Sequence, residues 1–385
     1  MQSMTFSPSG QVAGMNAFVS EAEAFLDLRG LVSPGGAGEG FSLAIARGES
    51  LCLLAPDDVG ARGIIAMVAG TVTPAAGEIV LNGRRLRATP AHRRGFGCVP
   101  AAIVLPRWQR LGAYVGAALN AQRLERAVRA ARVARVLALV GLDGLAGRWL
   151  TALSRSERFR AALARALAAD PSLLLIEEPE EGFAEPERQM LSILLRGSPA
   201  AAAITTLIAA RKAATVFALA DRVAVLLGER LVQVAPPQFL YDAPISLPVA
   251  RALGEANVLG GTLIENDDDI ARVKLDNGII VSGSLAESVA IGQRSLLMVR
   301  PERIAVAAIA AEELGEGALP VVLRKITPLG AQTRLVASLE DGVDIIVTRP
   351  ASAILRGLQP GREMSIAWSA QHARIYAAAK PTDAA

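Results

Sequence analysis

The chain has 385 residues, too many for one ordinary core, and length alone suggests two or three domains. Hydrophobic residues make up 52% and charged residues 20%, far from the polar, highly charged profile of disorder. A net charge of +3 is nearly balanced over this length and argues against a nucleic-acid-binding surface.

Cys52 and Cys98 each lie inside an apolar run, a pattern that reads as buried thiols in a reducing compartment and not as a disulfide framework. No stretch as long as a membrane-spanning helix is free of charge, and the start lacks a basic region followed by an apolar segment. Neither a spanning helix nor a signal peptide is therefore expected, and membrane contact is expected through a partner.

Residues 1–25 are mixed in pattern and read as a loose extension. From Phe41 onward short apolar runs alternate with helical segments, which predicts a layered α/β domain with parallel strands. A strand is expected over 41–45, a turn at Arg47-Gly48-Glu49, a fully apolar strand over 50–54 and a helix from about 60 to 69. Further buried strands are expected at 97–99, 173–176, 205–209 and 223–227. Between 105 and 153 the pattern turns helical, with Leu124, Val128, Val136, Leu137 and Val140 on one face and Gly141 as the stop. Arg123, Arg126, Arg129, Arg132 and Arg135 recur there at every third position, and a solvated face is favoured over a docking surface. After about Pro244 the texture changes to short alternating strands. Asp276-Asn277-Gly278 separates 271–275 from 279–281, and Asp341-Gly342 separates 334–339 from 343–347. A small β-barrel is expected here, with the boundary within 243–257.

The strand over 51–54, the loop Ala55-Pro56-Asp57-Asp58-Val59-Gly60 and the helix behind it have the strand–loop–helix context of a phosphate-binding loop. Further on, Leu153-Ser154-Arg155-Ser156-Glu157 precedes Arg160-Ala161-Ala162-Leu163-Ala164-Arg165-Ala166-Leu167. Then come Asp170-Pro171 and Leu173-Leu174-Leu175-Ile176-Glu177-Glu178-Pro179. In this order and spacing the segments resemble the ABC ATPase family. Ala220-Asp221-Arg222 and Leu240-Tyr241-Asp242-Ala243-Pro244 look like the end of importer-type members. Val299-Arg300-Pro301-Glu302-Arg303-Ile304 is similar to a motif in the OB-like regulatory (TOBE) domain of polyamine, iron, sulfate and sugar importers.

The resemblance implies a P-loop ABC ATPase domain over 26–243, with a helical subdomain at about 102–155, and an all-β OB-like barrel domain over 244–385. It also implies ATP and Mg²⁺ as cofactors, transmembrane permease subunits as partners and a periplasmic solute-binding protein acting indirectly. The implied location is the cytoplasmic face of the inner membrane, as a peripheral subunit.

Several positions depart from the family pattern. The loop runs from Ala55 to Gly63. The lysine that neutralises the β and γ phosphates aligns with Ala61, the hydroxyl that holds Mg²⁺ with Arg62, and the first loop glycine with Ala55. Asp57 and Asp58 put carboxylates beside the phosphate position, and only Gly60 is retained. Arg62 has two readings: a guanidinium reaching a phosphate, or a salt bridge to Asp57 or Asp58. Glu177 stands where a metal-side aspartate is expected and Glu178 where the base that activates water stands. The metal-sensing glutamine aligns with Ala101, the switch histidine with Arg211, and the aspartate that crosses the dimer interface with Ala184. No aromatic near Ser33-Pro34-Gly35 is expected to stack on adenine. The signature keeps Ser154 and a polar Glu157, while its two glycines have become Arg155 and Ser156.

Losing two charge-assisted contacts at about 1.5–3 kcal/mol each predicts about 10²- to 10⁴-fold weaker nucleotide binding. Two functions follow from this pattern. One is an importer ATPase with an impaired site. The other, which the changed residues favour, is a non-hydrolysing partner in a heterodimer with a second, active ATPase subunit. A homodimer is disfavoured.

Overall fold

The computed structural model describes residues 24–36, 40–57, 60–179, 185–196, 204–267, 270–307, 317–353 and 358–378, with the side chains of 185–188 and 196 left out. The described residues fall in two units, one ending at Gln238 and the other beginning at Phe239.

The first unit opens with β1 (Ala24–Val32), β2 (Phe41–Ala46) and β3 (Ser50–Leu54), then helix α1 (Ala61–Ala69), β4 (Ala76–Leu81), β5 (Arg84–Arg85) and β6 (Phe96–Val99). Helices α2 (Leu111–Gly116), α3 (Arg126–Leu139) and α4 (Arg155–Ala168) follow. The alternation then resumes with β7 (Leu173–Glu177), α5 (Glu185–Arg196), β8 (Thr206–Ala210), α6 (Ala213–Leu219), β9 (Arg222–Leu227) and β10 (Arg230–Ala235).

Two sheets form. The larger has strand order β10-β9-β3-β8-β7-β6, parallel from β6 through β9, with β10 antiparallel at the far edge. Strands β3 and β8 are buried at every position, as expected of parallel strands covered on both faces. The smaller sheet is antiparallel, with order β2-β1-β4-β5. Leu26, Leu28, Leu43, Ile45 and Ile79 from this sheet, Leu51, Leu53, Leu175 and Leu207 from the larger one, and Ile64, Met67 and Val68 of α1 share one core. The core holds α1 rigidly behind the β3 loop.

β1 begins at Ala24, whose register partner is Ala46, so Ala24 and Phe25 belong to a strand and not to the expected extension. Residues 1–23 lie outside the described residues. In the helical stretch Leu124 precedes α3, and Val128 is 50% exposed. The buried side of α3 is Val133, Val136 and Leu137. Val128 lies about two and a half turns before Leu137 at ~3.6 residues per turn, and so on the opposite side of the helix. Cys52 is buried but Cys98, on edge strand β6, is exposed. Its thiol is nevertheless pushed up by the atoms packed around it and, secondarily, by the Glu177 carboxylate.

The second unit contains most of α7 (Pro237–Asp242), then α8 (Leu247–Leu253), β11 (Asn257–Asp267), β12 (Ile270–Leu275), β13 (Ile280–Leu285), β14 (Arg294–Val299) and β15 (Ala305–Ala307). It closes with β16 (Leu319–Pro328), β17 (Gln332–Ser338), β18 (Asp344–Pro350), β19 (Glu363–Ala367) and β20 (Ala373–Ala377). A closed barrel β11-β12-β13-β20-β14 forms as expected of the short alternating strands, but the second expected hairpin, β17–β18, lies outside it in a separate sheet β15-β19-β16-β17-β18. Both contribute to one core, with Leu263, Val273, Leu297 and Ile375 from the barrel and Leu323, Leu335, Ile345 and Ile366 from the sheet.

Arg300, from the 299–304 motif, organises the start of this unit. It is 3% exposed, and its Nη1 donates to the carbonyls of Ala250 (2.9 Å), Gly254 (3.1 Å) and Glu255 (3.1 Å). It thereby satisfies backbone acceptors at the end of α8. Its guanidinium lies 4.1 Å from the Tyr241 ring centroid, and the Tyr241 hydroxyl donates to Glu302 at 2.6 Å. The motif thus joins α7, α8 and the barrel through hydrogen bonds.

Candidate nucleotide site

The carboxyl ends of β3, β7 and β8 bring the predicted site residues of the first unit together. Behind β3, Ala55 is fully buried and donates its N–H to Ala210 O at 3.0 Å. Pro56 and Asp57 form the following turn, while Asp58 and Val59 lie outside the described residues. The Asp57 carboxylate accepts the N–H of Gly228 at 2.8 Å. Gly60 caps α1, and a Cβ there would lie 2.7 Å from Gly228 O. The β9–β10 turn at Gly228 therefore accounts for the retained glycine by close backbone approach, and it fastens the loop through the Asp57 bond.

Ala61 starts α1 and is 4% exposed. Arg62 follows it, and its Nε donates to Glu178 Oε1 at 2.5 Å, with Nη2 also on that oxygen. One of the two sequence readings of Arg62 is a salt bridge to Asp57 or Asp58, the other a contact to phosphate. Asp57 turns to Gly228, Asp58 lies outside the described residues, and Arg62 reaches to the end of β7. Gly63 has open space at its Cβ position.

Glu178 follows β7 with a φ of 42°, left-handed backbone that non-glycine residues seldom adopt, and its N–H donates to Ala209 O at 2.8 Å. Its side chain is 9% exposed against 43% for Arg62. The carboxylate is thus nearly enclosed beneath the guanidinium. Glu177 Oε2 accepts the N–H of Ala101 at 3.3 Å, so the residues expected at the metal-side and glutamine positions meet through backbone. Arg211 is exposed just beyond β8, and Ala184 lies outside the described residues. Among the described residues no cluster of three His, Cys, Asp or Glu is arranged to hold a metal ion.

The signature segment forms a self-contained helix start. Ser154 caps α4: its Oγ accepts Glu157 N–H at 3.2 Å, and Glu157 Oε2 accepts Ser154 N–H at 2.7 Å, a reciprocal capping box. Arg148 donates to Glu157 Oε1 at 3.0 Å. The bond from the Ser154 backbone, followed by the Ser154 hydroxyl and the arginines, holds the Glu157 carboxyl below its usual range, against the smaller opposing effect of desolvation. Arg155 is exposed at the first position of the helix and Ser156 half-buried at the second.

The comparisons with known proteins agree with this layout. The family model described as ABC transporter matches residues 39–181, and that described as TOBE domain matches residues 297–375. An Fe(3+) ions import ATP-binding protein of Rhodococcus jostii is 34% identical over 272 residues, covering 69% of this chain and 74% of its own. The chain belongs to the ABC transporter family. It is an importer-type ATP-binding subunit with a TOBE domain. A spermidine/putrescine import ATP-binding protein of Rubrobacter xylanophilus is 29% identical over 341 residues, covering 88% of this chain and 89% of its own. Among solved structures, a subunit of the cbiONQ ABC transporter complex from Clostridium perfringens matches with a TM-score of 0.52 at 22% identity, over 59% of this chain and 96% of that one. This last likeness concerns the fold alone.

ABC ATPases use ATP and Mg²⁺, and the residues here differ from the pattern expected to hold them. A triphosphate with its metal needs a loop cation, a metal-ligating hydroxyl and a free base. At those positions stand Ala61, Arg62 and a Glu178 carboxylate already bonded to Arg62. The Asp57 carboxylate adds like charge beside the phosphate position. The sequence placed Ala61 and Arg62 at the expected lysine and hydroxyl positions, but the bond between Arg62 and Glu178 was invisible to it.

Proposed function

We propose that this chain is the ATP-binding-cassette subunit of a bacterial solute importer that does not hydrolyse ATP at its own site and works beside a second, active ATPase subunit. The observation that carries the reading is the Arg62–Glu178 bond at 2.5 Å. The guanidinium occupies Oε1 of that carboxylate and lowers its basicity toward water, and the same arginine stands where a metal-binding hydroxyl is needed.

The relatives named for spermidine/putrescine and Fe(3+) ions import support uptake of a small solute as the process, and on this reading the chain works with permease subunits and, indirectly, a periplasmic binding protein. The subunit sits peripherally on the cytoplasmic face of the inner membrane. Its core domain is assigned to residues 26–243 and its regulatory barrel domain to residues 244–385. Two subunits of this family meet head to tail, so Ser154, Arg155 and Ser156 of this chain face a site whose loop belongs to the partner. In that arrangement the exposed, capped start of α4 is the part of the chain offered to the active site. A heterodimer keeps one such site, whereas a homodimer has two loops lacking lysine and hydroxyl.

Hydrolysis by the purified chain alone, with Mg²⁺ present, tests the reading. Turnover is expected at background, with no change on Glu178→Gln. Turnover that this substitution abolishes overturns it, because Arg62 must then release the base.

A further inference from the structure

A second cation-lined recess lies away from the loop, between the end of α1, the start of β4 and the segment after β5. The cavity has a volume of about 440 Å³, and its lining includes Val72, Thr73, Ile79, Arg87, Thr89 and Arg94. The chain from Arg84 to Arg94 holds five arginines and a histidine and no acidic residue.

Arg94 is built into the fold. Its Nη1 donates to Met67 O at 3.0 Å and Val68 O at 2.6 Å, Nε to Thr89 O at 3.0 Å, and Nη2 to Leu86 O at 3.4 Å. The slot it fills exists because residue 70 is glycine: a Cβ there would lie 2.5 Å from the guanidinium carbon, and the backbone φ is +82°. A guanidinium has five N–H donors, so these four bonds leave one N–H on Nη2 unused at the cavity. The acceptors are all carbonyls, and desolvation lowers the Arg94 pKa with no carboxylate opposing it, so its positive charge stands uncompensated by an acid. Arg87 is exposed on the same cavity, and the threonine hydroxyls of residues 73 and 89 add donors. Val72 and Ile79 make the remainder apolar.

We infer that this recess binds a phosphate group, with Arg87 and the spare Nη2 donor of Arg94 as its cationic ligands and Thr73 and Thr89 as hydroxyl donors. The phosphate belongs either to a free phosphomonoester or to an anionic lipid headgroup, since both present the same oxygens. The site is independent of the nucleotide loop and does not rest on the proposed loss of hydrolysis.

The test uses the full chain. Inorganic phosphate and phenyl phosphate are titrated calorimetrically, and flotation is measured with vesicles of phosphatidylglycerol in phosphatidylcholine. Each is repeated with Arg87→Ala, an exposed change that leaves the Arg94 bonds intact. Saturable binding of the soluble phosphates, weakened at least ten-fold by Arg87→Ala, supports the site with a free ligand. Vesicle binding that Arg87→Ala weakens and phosphate competes away supports it with a headgroup. Absence of both, or binding unchanged by Arg87→Ala, overturns it.

Discussion

Removing either end of the Arg62–Glu178 bridge is expected to have unequal consequences. The Glu178 side chain is 9% exposed and that of Arg62 is 43% exposed. Arg62→Ala strips a counter-charge from a carboxylate that water barely reaches, and losing a hydrogen bond to such an enclosed charged group costs about 1–3 kcal/mol. Glu178→Gln leaves a half-exposed guanidinium that water solvates, and an exposed pair contributes only about 0–1 kcal/mol. For a unit of this size about 2–4 °C accompanies each kcal/mol, so Arg62→Ala lowers the transition of the first unit by roughly 2–12 °C and Glu178→Gln by no more than about 4 °C. The double substitution Arg62→Ala with Glu178→Gln stays near Glu178→Gln alone, because a neutral amide needs no counter-charge. Differential scanning calorimetry of the four proteins measures this. A Glu178→Gln cost equal to or larger than that of Arg62→Ala refutes the idea that the guanidinium compensates an enclosed carboxylate.

Three further outcomes are expected. A fluorescent ATP analogue with Mg²⁺ binds the isolated chain at least about 10²-fold more weakly than it binds an intact loop, and a dissociation constant in the low micromolar range refutes the misfit of the site. Arg300→Ala exposes unsatisfied carbonyls at the end of α8 and removes the Tyr241 contact, costing about 2–4 kcal/mol of stability in the second unit by urea unfolding; a change within error shows that the motif does not tie α7 and α8 to the barrel. Because the folded Glu157 pKa lies below its ordinary value of 4.5, its contribution is fully present above that value and is lost as pH falls through the folded pKa. Acid unfolding of wild type and Glu157→Gln should therefore diverge above about pH 4.5 and converge below it, and parallel profiles contradict the capping role.

Periodicity located the buried parallel strands within a residue or two, because β3, β7 and β8 are apolar on both faces. It missed β1, where Asp27 and Arg29 interrupt the apolar run and pair with each other through their side chains. In the second unit the hairpin turns located β12–β13 of the barrel and β17–β18 of the additional sheet, but not that the two hairpins belong to different sheets, since β16 pairs with β19 across about forty intervening residues and no turn marks that pairing. The resemblance to the family pattern singled out Ala61, Arg62 and Glu178 as site positions. What it missed was how the substitutes are used. Arg62 and Glu178 lie 116 positions apart, and Asp57 and Gly228 lie 171 apart, so their meeting depends on the order of strands in the sheet and has no local signal.

The central claim is that this subunit acts through a partner's phosphate loop. It is tested most directly by co-expressing the chain with permease subunits and an ATPase subunit that has an intact loop, then measuring composition and ATP turnover of the purified complex. Both ATPase chains are expected in equal amounts. Ser154→Trp should lower the turnover, while Ala61→Lys should leave it unchanged because the other ligands stay missing. A stable, transport-competent complex containing only this chain as its ATPase contradicts the account.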